Sequence, residues 1–404
     1  MDMSKKPSFL RSKIASITGD FFLSILASVI NTFARQIVVF PMLAARLTDA
    51  DYGTVLTVIG LVNVLVALVG GTLNNIRLIR HSKYEEVGIQ GDFLWLCTAG
   101  AVIGMVCCAV LSAVFRLSAA TSAILGIYIL INNFYQYATA YFRLNLDFKR
   151  NMIVNVVASV AYIAGCFLFA TPQLWPMVFL LGEGAGLAYT ALTTRFYKEG
   201  FSRTLLFRDT TKAYLELVFV NLISNLLMYA DRMIIHPILG PESVSYYSTA
   251  SFFGKSAGIV MTPIAGVLLG YFSQKNFTAS KKLFSLVNGL SLACLVVFLG
   301  GCWLFAPWFT KLLYPTLYEQ SAPYIFMANL GAVISIAGNM AQPMLLKGCS
   351  TKYLMAIQFI YGVVYLACSL LMLPIYGLSG FCVATIIANS VRLLLFYGLG
   401  LWKL

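Results

Sequence analysis

The chain has 404 residues, 60% of them apolar and only 11% charged, where a soluble globular domain carries about 25% charged residues. That deficit, with a mean hydropathy of +0.83, excludes a soluble globular enzyme and points to a polytopic helical membrane protein; a membrane β-barrel would alternate apolar and polar residues instead. The 28 Lys and Arg against 15 Asp and Glu give +13, which in a soluble protein would suggest nucleic acid, but in a membrane protein must first be sorted by side.

The chain starts with Lys5, Lys6, Arg11 and Lys13 ahead of an apolar run. That run is too long for a signal peptide and has no small-residue cleavage site, so it counts as the first span. Apolar windows bounded by charge, Pro or Gly predict an all-α bundle of about twelve spans, each able to cross about 30 Å of hydrocarbon. In chain order they cover 20–45, 52–76, 93–115, 119–142, 152–171, 174–196, 214–239, 244–272, 283–306, 321–346, 353–373 and 377–401. The longest polar stretches, the amino terminus and the segment from Tyr197 to Lys212, are too short to form a domain.

With the amino terminus taken as cytoplasmic, 21 of the 28 cations fall on that side, from Lys5 to Lys403. Only Arg46, Arg116 and Lys311 fall outside, and four lie within spans. This bias satisfies the positive-inside rule with both termini cytoplasmic, so the net charge needs no nucleic acid to explain it.

The halves read as distant copies, 1–200 with spans one to six and 201–404 with spans seven to twelve. Tyr162-Ile-Ala-Gly-Cys166 in the fifth span parallels Tyr365-Leu-Ala-Cys368 in the eleventh, each followed by a proline (Pro172, Pro374) and a glycine-bearing span. Likewise Leu47-Thr-Asp-Ala-Asp-Tyr52 parallels Leu239-Gly-Pro-Glu-Ser-Val-Ser-Tyr246. Six spans per copy is even, so the expected pseudo-symmetric lobes share one orientation.

Polar residues spaced by three and four share a helix face. The first span aligns Asp20, Ser24, Ser28, Asn31 and Arg35; the second aligns Gly60, Asn63, Gly70, Asn74 and Arg77. The fourth aligns Tyr128, Asn132, Gln136, Thr139 and Arg143, and the sixth Glu183, Thr190 and Thr194. In the second half the stripes are Asn221, Asn225, Met228 and Arg232; Ser251, Lys255, Gly258 and Thr262; Ser335, Asn339 and Gln342; and Thr385, Asn389 and Arg392. Such faces either satisfy one another in a tight bundle or line a hydrated cavity. The ionisable residues favour the cavity. Arg35, Arg232, Lys255 and Arg392 lie well inside spans with only Glu183 and Asp231 to oppose them, a balance of +2 that suits an anionic ligand. Asp231 and Arg232 are adjacent, so their side chains diverge and each needs a partner elsewhere. Gly254, Gly258, Gly266 and Gly270 recur at fourfold spacing, a face suited to close helix packing.

Other patterns carry no chemistry. Gly254-Lys-Ser256 imitates the end of a phosphate-binding loop, but Thr249 stands where its first glycine belongs, inside a span. The sequon Asn276-Phe-Thr278 falls on the cytoplasmic side, where it is not glycosylated. The nine cysteines form no C-x-x-C pair, and His81 and His236 are the only histidines, so no metal site or disulfide framework is expected. No catalytic motif is present.

The polar loop Leu47-Thr-Asp-Ala-Asp-Tyr-Gly53 after an Arg-bearing span, and Tyr229-Ala-Asp231-Arg232 followed by Leu239-Gly240, resemble the Wzx-type O-antigen and polysaccharide flippases of the multidrug/oligosaccharidyl-lipid/polysaccharide (MOP) superfamily. The likeness covers nearly the whole chain. It departs at Ser245-Tyr246-Tyr247, where such families carry a glycine in the second copy of the loop. The resemblance implies a bacterial inner-membrane transporter, not an enzyme, that moves an undecaprenyl-pyrophosphate-linked oligosaccharide from the cytoplasmic to the periplasmic leaflet by alternating access. A pyrophosphate and its sugars lose hydration in hydrocarbon. Arg35, Arg232, Lys255 and Arg392 would take the charge, with Asn31, Asn221 and Asn225 bonding the hydroxyls. Glu183 and Asp231 are candidates for proton or sodium coupling; no other cofactor is expected. The expected partners are the lipid-linked glycan, the phospholipid bilayer and other polysaccharide assembly proteins. A drug or organic-cation exporter of the same superfamily would show an acidic or aromatic cavity instead. A membrane glycosyltransferase or polymerase would show a large external loop with acid/base residues.

Overall fold

The computed structural model describes residues 26–27, 29–88, 91–258, 261 and 280–404. Asp20, Ser24, Ser28, Thr262, Gly266, Gly270, the sequon at Asn276 and the amino-terminal cations lie outside the described residues.

Every regular element among the described residues is helical. After a π-helical turn at Ala34–Val39 come α1 (Phe40–Arg46) and α2 (Asp49–Val66), a second π turn (Ala67–Gly71), α3 (Thr72–Ile79) and α4 (His81–Val87). Then follow α5 (Asp92–Val114), α6 (Ala119–Ala138), α7 (Ala140–Leu144), α8 (Phe148–Phe169) and α9 (Trp175–Thr194). The rest of the chain gives α10 (Phe207–Met228), α11 (Ala230–Leu239), α12 (Pro241–Ala250), α13 (Lys281–Leu313), α14 (Tyr318–Ser321), α15 (Ile325–Gly348) and α16 (Thr351–Lys403).

Local chemistry sets several starts. Ser118, Asp147 and Ser280 each accept a backbone N–H three residues on, a cap worth about 1 kcal/mol. Thr48 and Asp51 form a reciprocal version at the head of α2: Asp51 N–H donates to Thr48 Oγ1 at 3.1 Å while the Thr48 hydroxyl donates to the Asp51 carboxylate at 2.7 Å.

Among the described residues, six helical stretches are long and apolar enough to cross a membrane: Asp49–Ile79, Asp92–Val114, Phe148–Phe169, Lys281–Leu313, Tyr318–Leu346 and Lys352–Lys403. The last contains two of the expected spans, because Gly377 takes φ +59° and breaks α16. Its legs run antiparallel, with Tyr365 against Phe381 and Tyr353 against Trp402. The expected fourth, sixth and seventh spans are α6, α9 and α10, of 20, 20 and 22 residues, whose polar stripes lower their mean hydropathy. The seventh ends earlier than expected: at Tyr229 the backbone turns to φ −111°, ψ +10°, and α11 starts afresh.

Two compact units organise the chain. One holds the described residues up to Leu47 together with Val58–Ala230; the other holds Thr48–Thr57 and Asp231–Leu404. Position 200/201 falls inside the first unit, because α10 packs on α3 and Asn221 Nδ2 donates to Thr72 Oγ1 at 2.9 Å. The head of α2 belongs to the second because Gly53 leaves room for the Pro241 carbonyl, which a Cβ would strike. Ser245 Oγ donates to the Asp49 carbonyl at 2.6 Å and the Tyr246 hydroxyl to the Asp49 carboxylate at 2.9 Å. The two polar loops that parallel each other in sequence thus pack together.

Each unit repeats one hydrogen-bond device. Membrane backbone must satisfy its own polar groups, and the π turn frees the Gly70 N–H, which donates to Asn133 Oδ1 at 3.0 Å. In the second unit Gly254 N–H donates to Asn329 Oδ1 at 2.5 Å. Both asparagines also donate Nδ2 to the carbonyl four residues back, Ile129 and Ile325.

Candidate functional site

In the first unit, Arg35 lies in the π turn that precedes α1, its guanidinium 5.8 Å from the centre of the Tyr162 ring on α8. The Tyr162 hydroxyl donates to Glu183 Oε1 on α9. Glu183 is 3% exposed, its Oε2 has no protein donor, and Arg35 lies within its electrostatic reach. Gly182 makes this possible, since a Cβ there would stand 2.5 Å from the Tyr162 ring. The glycine next to the carboxylate is therefore the socket for the tyrosine that holds it.

The remaining polar positions of this unit mostly bond one another. Asn74 Nδ2 donates to the Gln136 carbonyl at 2.7 Å, and Arg143 donates to Asn74 Oδ1 at 3.0 Å. Asn132 donates to the Tyr128 hydroxyl at 2.9 Å. Asn221 bonds Thr72, and Asn225 bonds the Asn221 carbonyl; Asn31 is buried. The stripes of the second and fourth spans thus satisfy each other. Asn221 and Asn225 engage α3 and their own helix.

Arg77, aligned in the sequence with the polar face of the second span, is paired with Glu199, a residue that the sequence reading did not single out. They form an ion pair at 2.8 Å with side chains 2% and 7% exposed. Glu199 also accepts the hydroxyls of Tyr137, at 2.7 Å, and Tyr141. Arg77 lies over the Phe93 ring at 4.7 Å. Their separation along the chain hid the pair.

In the second unit, Asp231 and Arg232 part as adjacent helical side chains must. Asp231 Oδ2 meets Lys255 Nζ at 2.5 Å, and Arg232 donates Nη1 to the Leu56 carbonyl at 2.7 Å. Lys255 also stands 5.0 Å from the Tyr247 ring centre. Arg392, on the second leg of α16, lies 5.1 Å above the Tyr361 ring of the first leg and donates to Asn339 on α15. It is 6% exposed and its Nε has no protein acceptor. Tyr361 lies within electrostatic reach of Asp231, so Asp231, Lys255, Tyr361 and Arg392 form one neighbourhood. Lys255 and Arg232 stand beside Asp231, and Arg392 joins them only through Tyr361; in the first unit Arg35 faces Glu183.

The chain matches the sequence profile of the polysaccharide biosynthesis protein family over residues 42–323. No curated protein sequence matches it significantly. Among solved structures its fold is similar to the lipid II flippase MurJ in an inward closed conformation, at 15% identity and TM-score 0.67, covering 95% of this chain and 86% of that one. It is also similar to a multidrug resistance MATE family transporter of the MOP superfamily in an outward-facing conformation, at 16% identity and TM-score 0.63, with 94% of both chains covered. A MATE structure in the straight conformation aligns at 15% identity and TM-score 0.64, covering 95% and 94%. A helical membrane chain with the MOP transporter fold, matched by that profile over most of its length, this protein belongs to the polysaccharide biosynthesis protein family.

Proposed function

We propose that this protein is a flippase, not an enzyme, that carries an undecaprenyl-pyrophosphate-linked oligosaccharide repeat unit across the bacterial inner membrane. Transport would run from the cytoplasmic to the periplasmic leaflet by alternating access, with both termini cytoplasmic. The observation that carries this reading is Arg392 in the second unit, a guanidinium 6% exposed whose Nε has no protein acceptor, with the half-buried Arg232 and the exposed Lys255 as further cations of that unit. A buried guanidinium with an unused N–H is a donor awaiting an acceptor, and a diphosphate supplies charge and oxygens together. Family membership supports a polysaccharide precursor over other anions. Tyr247, Tyr361 and Asn339 beside the cations suit sugar hydroxyls, which need donors and acceptors once stripped of water.

Glu183 and Asp231 are our candidates for proton or sodium coupling, because each is a buried carboxylate next to a cation whose pairing changes if it is neutralised. The rival reading, export of an organic cation, draws on the acid and tyrosine pair of the first unit. The test is loss of the gene. Lipid-linked repeat unit should build up facing the cytoplasm, and its absence, with a cationic drug retained instead, would sink the flippase reading.

A further inference from the structure

We infer that the connection from Arg195 to Lys212 is an interfacial anchor that binds anionic phospholipid headgroups. The segment is pinned from beneath. Glu199 is held by Arg77 at 2.8 Å. Thr204 N–H donates to Asp92 Oδ1 at 2.8 Å, and the Thr210 hydroxyl meets that of Tyr84 at 2.8 Å. Gly91, at φ +112°, lets the Gly200 carbonyl approach where a Cβ would collide. With these groups turned inward, the side chains left outside are mostly apolar and cationic.

Tyr197 is 55% exposed, Phe201 57% and Leu205 98%. Arg195, Lys198, Arg203, Arg208 and Lys212 are exposed as well. Of the two acids of the stretch, Glu199 is held by Arg77 and Asp209 stays exposed beside Arg80 at 3.4 Å, so five exposed cations meet one exposed acid and the outward charge is positive. The Arg203 guanidinium lies 4.8 Å from the Trp95 ring and 4.7 Å from that of Phe207, and Trp95 Nε1 donates to the Phe201 carbonyl. Trp95 sits one turn into α5, a helix long and apolar enough to cross a membrane. The level it marks is where hydrocarbon gives way to water, the depth at which indole rings and long cationic stems are favoured.

A nearly bare leucine among aromatic rings is poorly placed in water and well placed among acyl chains. Cations around it at the same depth attract anionic lipid, each changing the partition by about five-fold near such a surface at physiological salt. The occupant we assign is therefore the bilayer interface, with phosphatidylglycerol-like headgroups against Lys198, Arg203 and Arg208. This rests on the membrane character of the chain and holds whatever the transported substrate is.

The test uses the full chain in nanodiscs of phosphatidylcholine with a minor share of phosphatidylglycerol, followed by counting of retained lipids by native mass spectrometry. The wild type should retain phosphatidylglycerol above its bulk share. K198Q, R203Q and R208Q should each lower that enrichment by about five-fold or less, while the Lys281→Gln variant, far from this segment in sequence, should not. Depth is read separately with Leu205→Trp, whose added fluorescence should be quenched by brominated phosphatidylglycerol more than by brominated phosphatidylcholine. Enrichment unchanged in all three glutamine variants overturns the proposal, as does a tryptophan at 205 quenched only by aqueous iodide.

Discussion

The two units hold their charged side chains differently. In the first, Arg35, Tyr162 and Glu183 hold one cation and one carboxylate with a tyrosine hydroxyl between them, and Arg77 with Glu199 repeats the balance. In the second, Asp231 faces Lys255 while Arg232 and Arg392 rest on a carbonyl, an amide and an aromatic ring. A cation lost from beside a buried carboxylate leaves that carboxylate stranded, so its removal is felt as lost stability. A buried guanidinium with an unused N–H, as at Arg392, can still take an anion, so its removal is expected to be felt as lost transport.

That contrast breaks most readily at the balanced cluster. Arg35→Gln is expected to cost about 3–5 kcal/mol, because it strands Glu183. The double variant Arg35→Gln with Glu183→Gln should recover most of that loss; detergent-solubilised melting curves for all three chains check it. If the double variant is no more stable than the single, the pair is not self-sufficient and the comparison fails. Arg392→Gln should act differently, leaving the melting curve close to wild type while weakening capture of the lipid-linked anion by about ten- to hundred-fold, the worth of a charged hydrogen bond. Full translocation by that variant would return Arg392 to a packing role.

Smaller effects sharpen the comparison. Asn133→Ala and Asn329→Ala each strand a glycine N–H, and each should cost about 1–3 kcal/mol. Similar losses are expected because both units use the same device, and a tenfold disparity in urea or thermal resistance would argue against the repeat. Gly182→Ala places a methyl against the Tyr162 ring and should cost about 1–2 kcal/mol. It should also uncouple Tyr162 from Glu183, a change visible as a shifted tyrosine absorbance. Ser118→Ala removes one helix cap, and about 1 kcal/mol is the expected loss.

Much of this was legible in the chain itself. Apolar length announced the helices, and the three-and-four spacing put Asn132 with Gln136, and Asn221 with Asn225, on shared faces. Cations within spans stood out because hydrocarbon makes them expensive. What local spacing does not carry is the identity of partners. Asn74 and Arg143 are on different helices, as are Arg392 and Asn339, and a stripe looks the same whether it meets another stripe or a ligand. Glu199 lay in a polar connection, so nothing nearby distinguished it from a solvated charge; only the tertiary fold brings Tyr137 and Tyr141 over it. The break at Tyr229 was hidden too, since Met228-Tyr-Ala-Asp231 has no proline or glycine to mark it.

The bend at Gly377 bears on how the protein is made. Only a single left-handed residue interrupts α16, so its legs have almost no tether and would enter the bilayer side by side as the ribosome extrudes them. Arg392 in the trailing leg then finds Tyr361 of the leading leg already beside it, and the guanidinium need never face acyl chains alone. A residue unable to adopt φ +59° there would separate the legs and expose the charge during synthesis, with degradation of the nascent chain as the visible result.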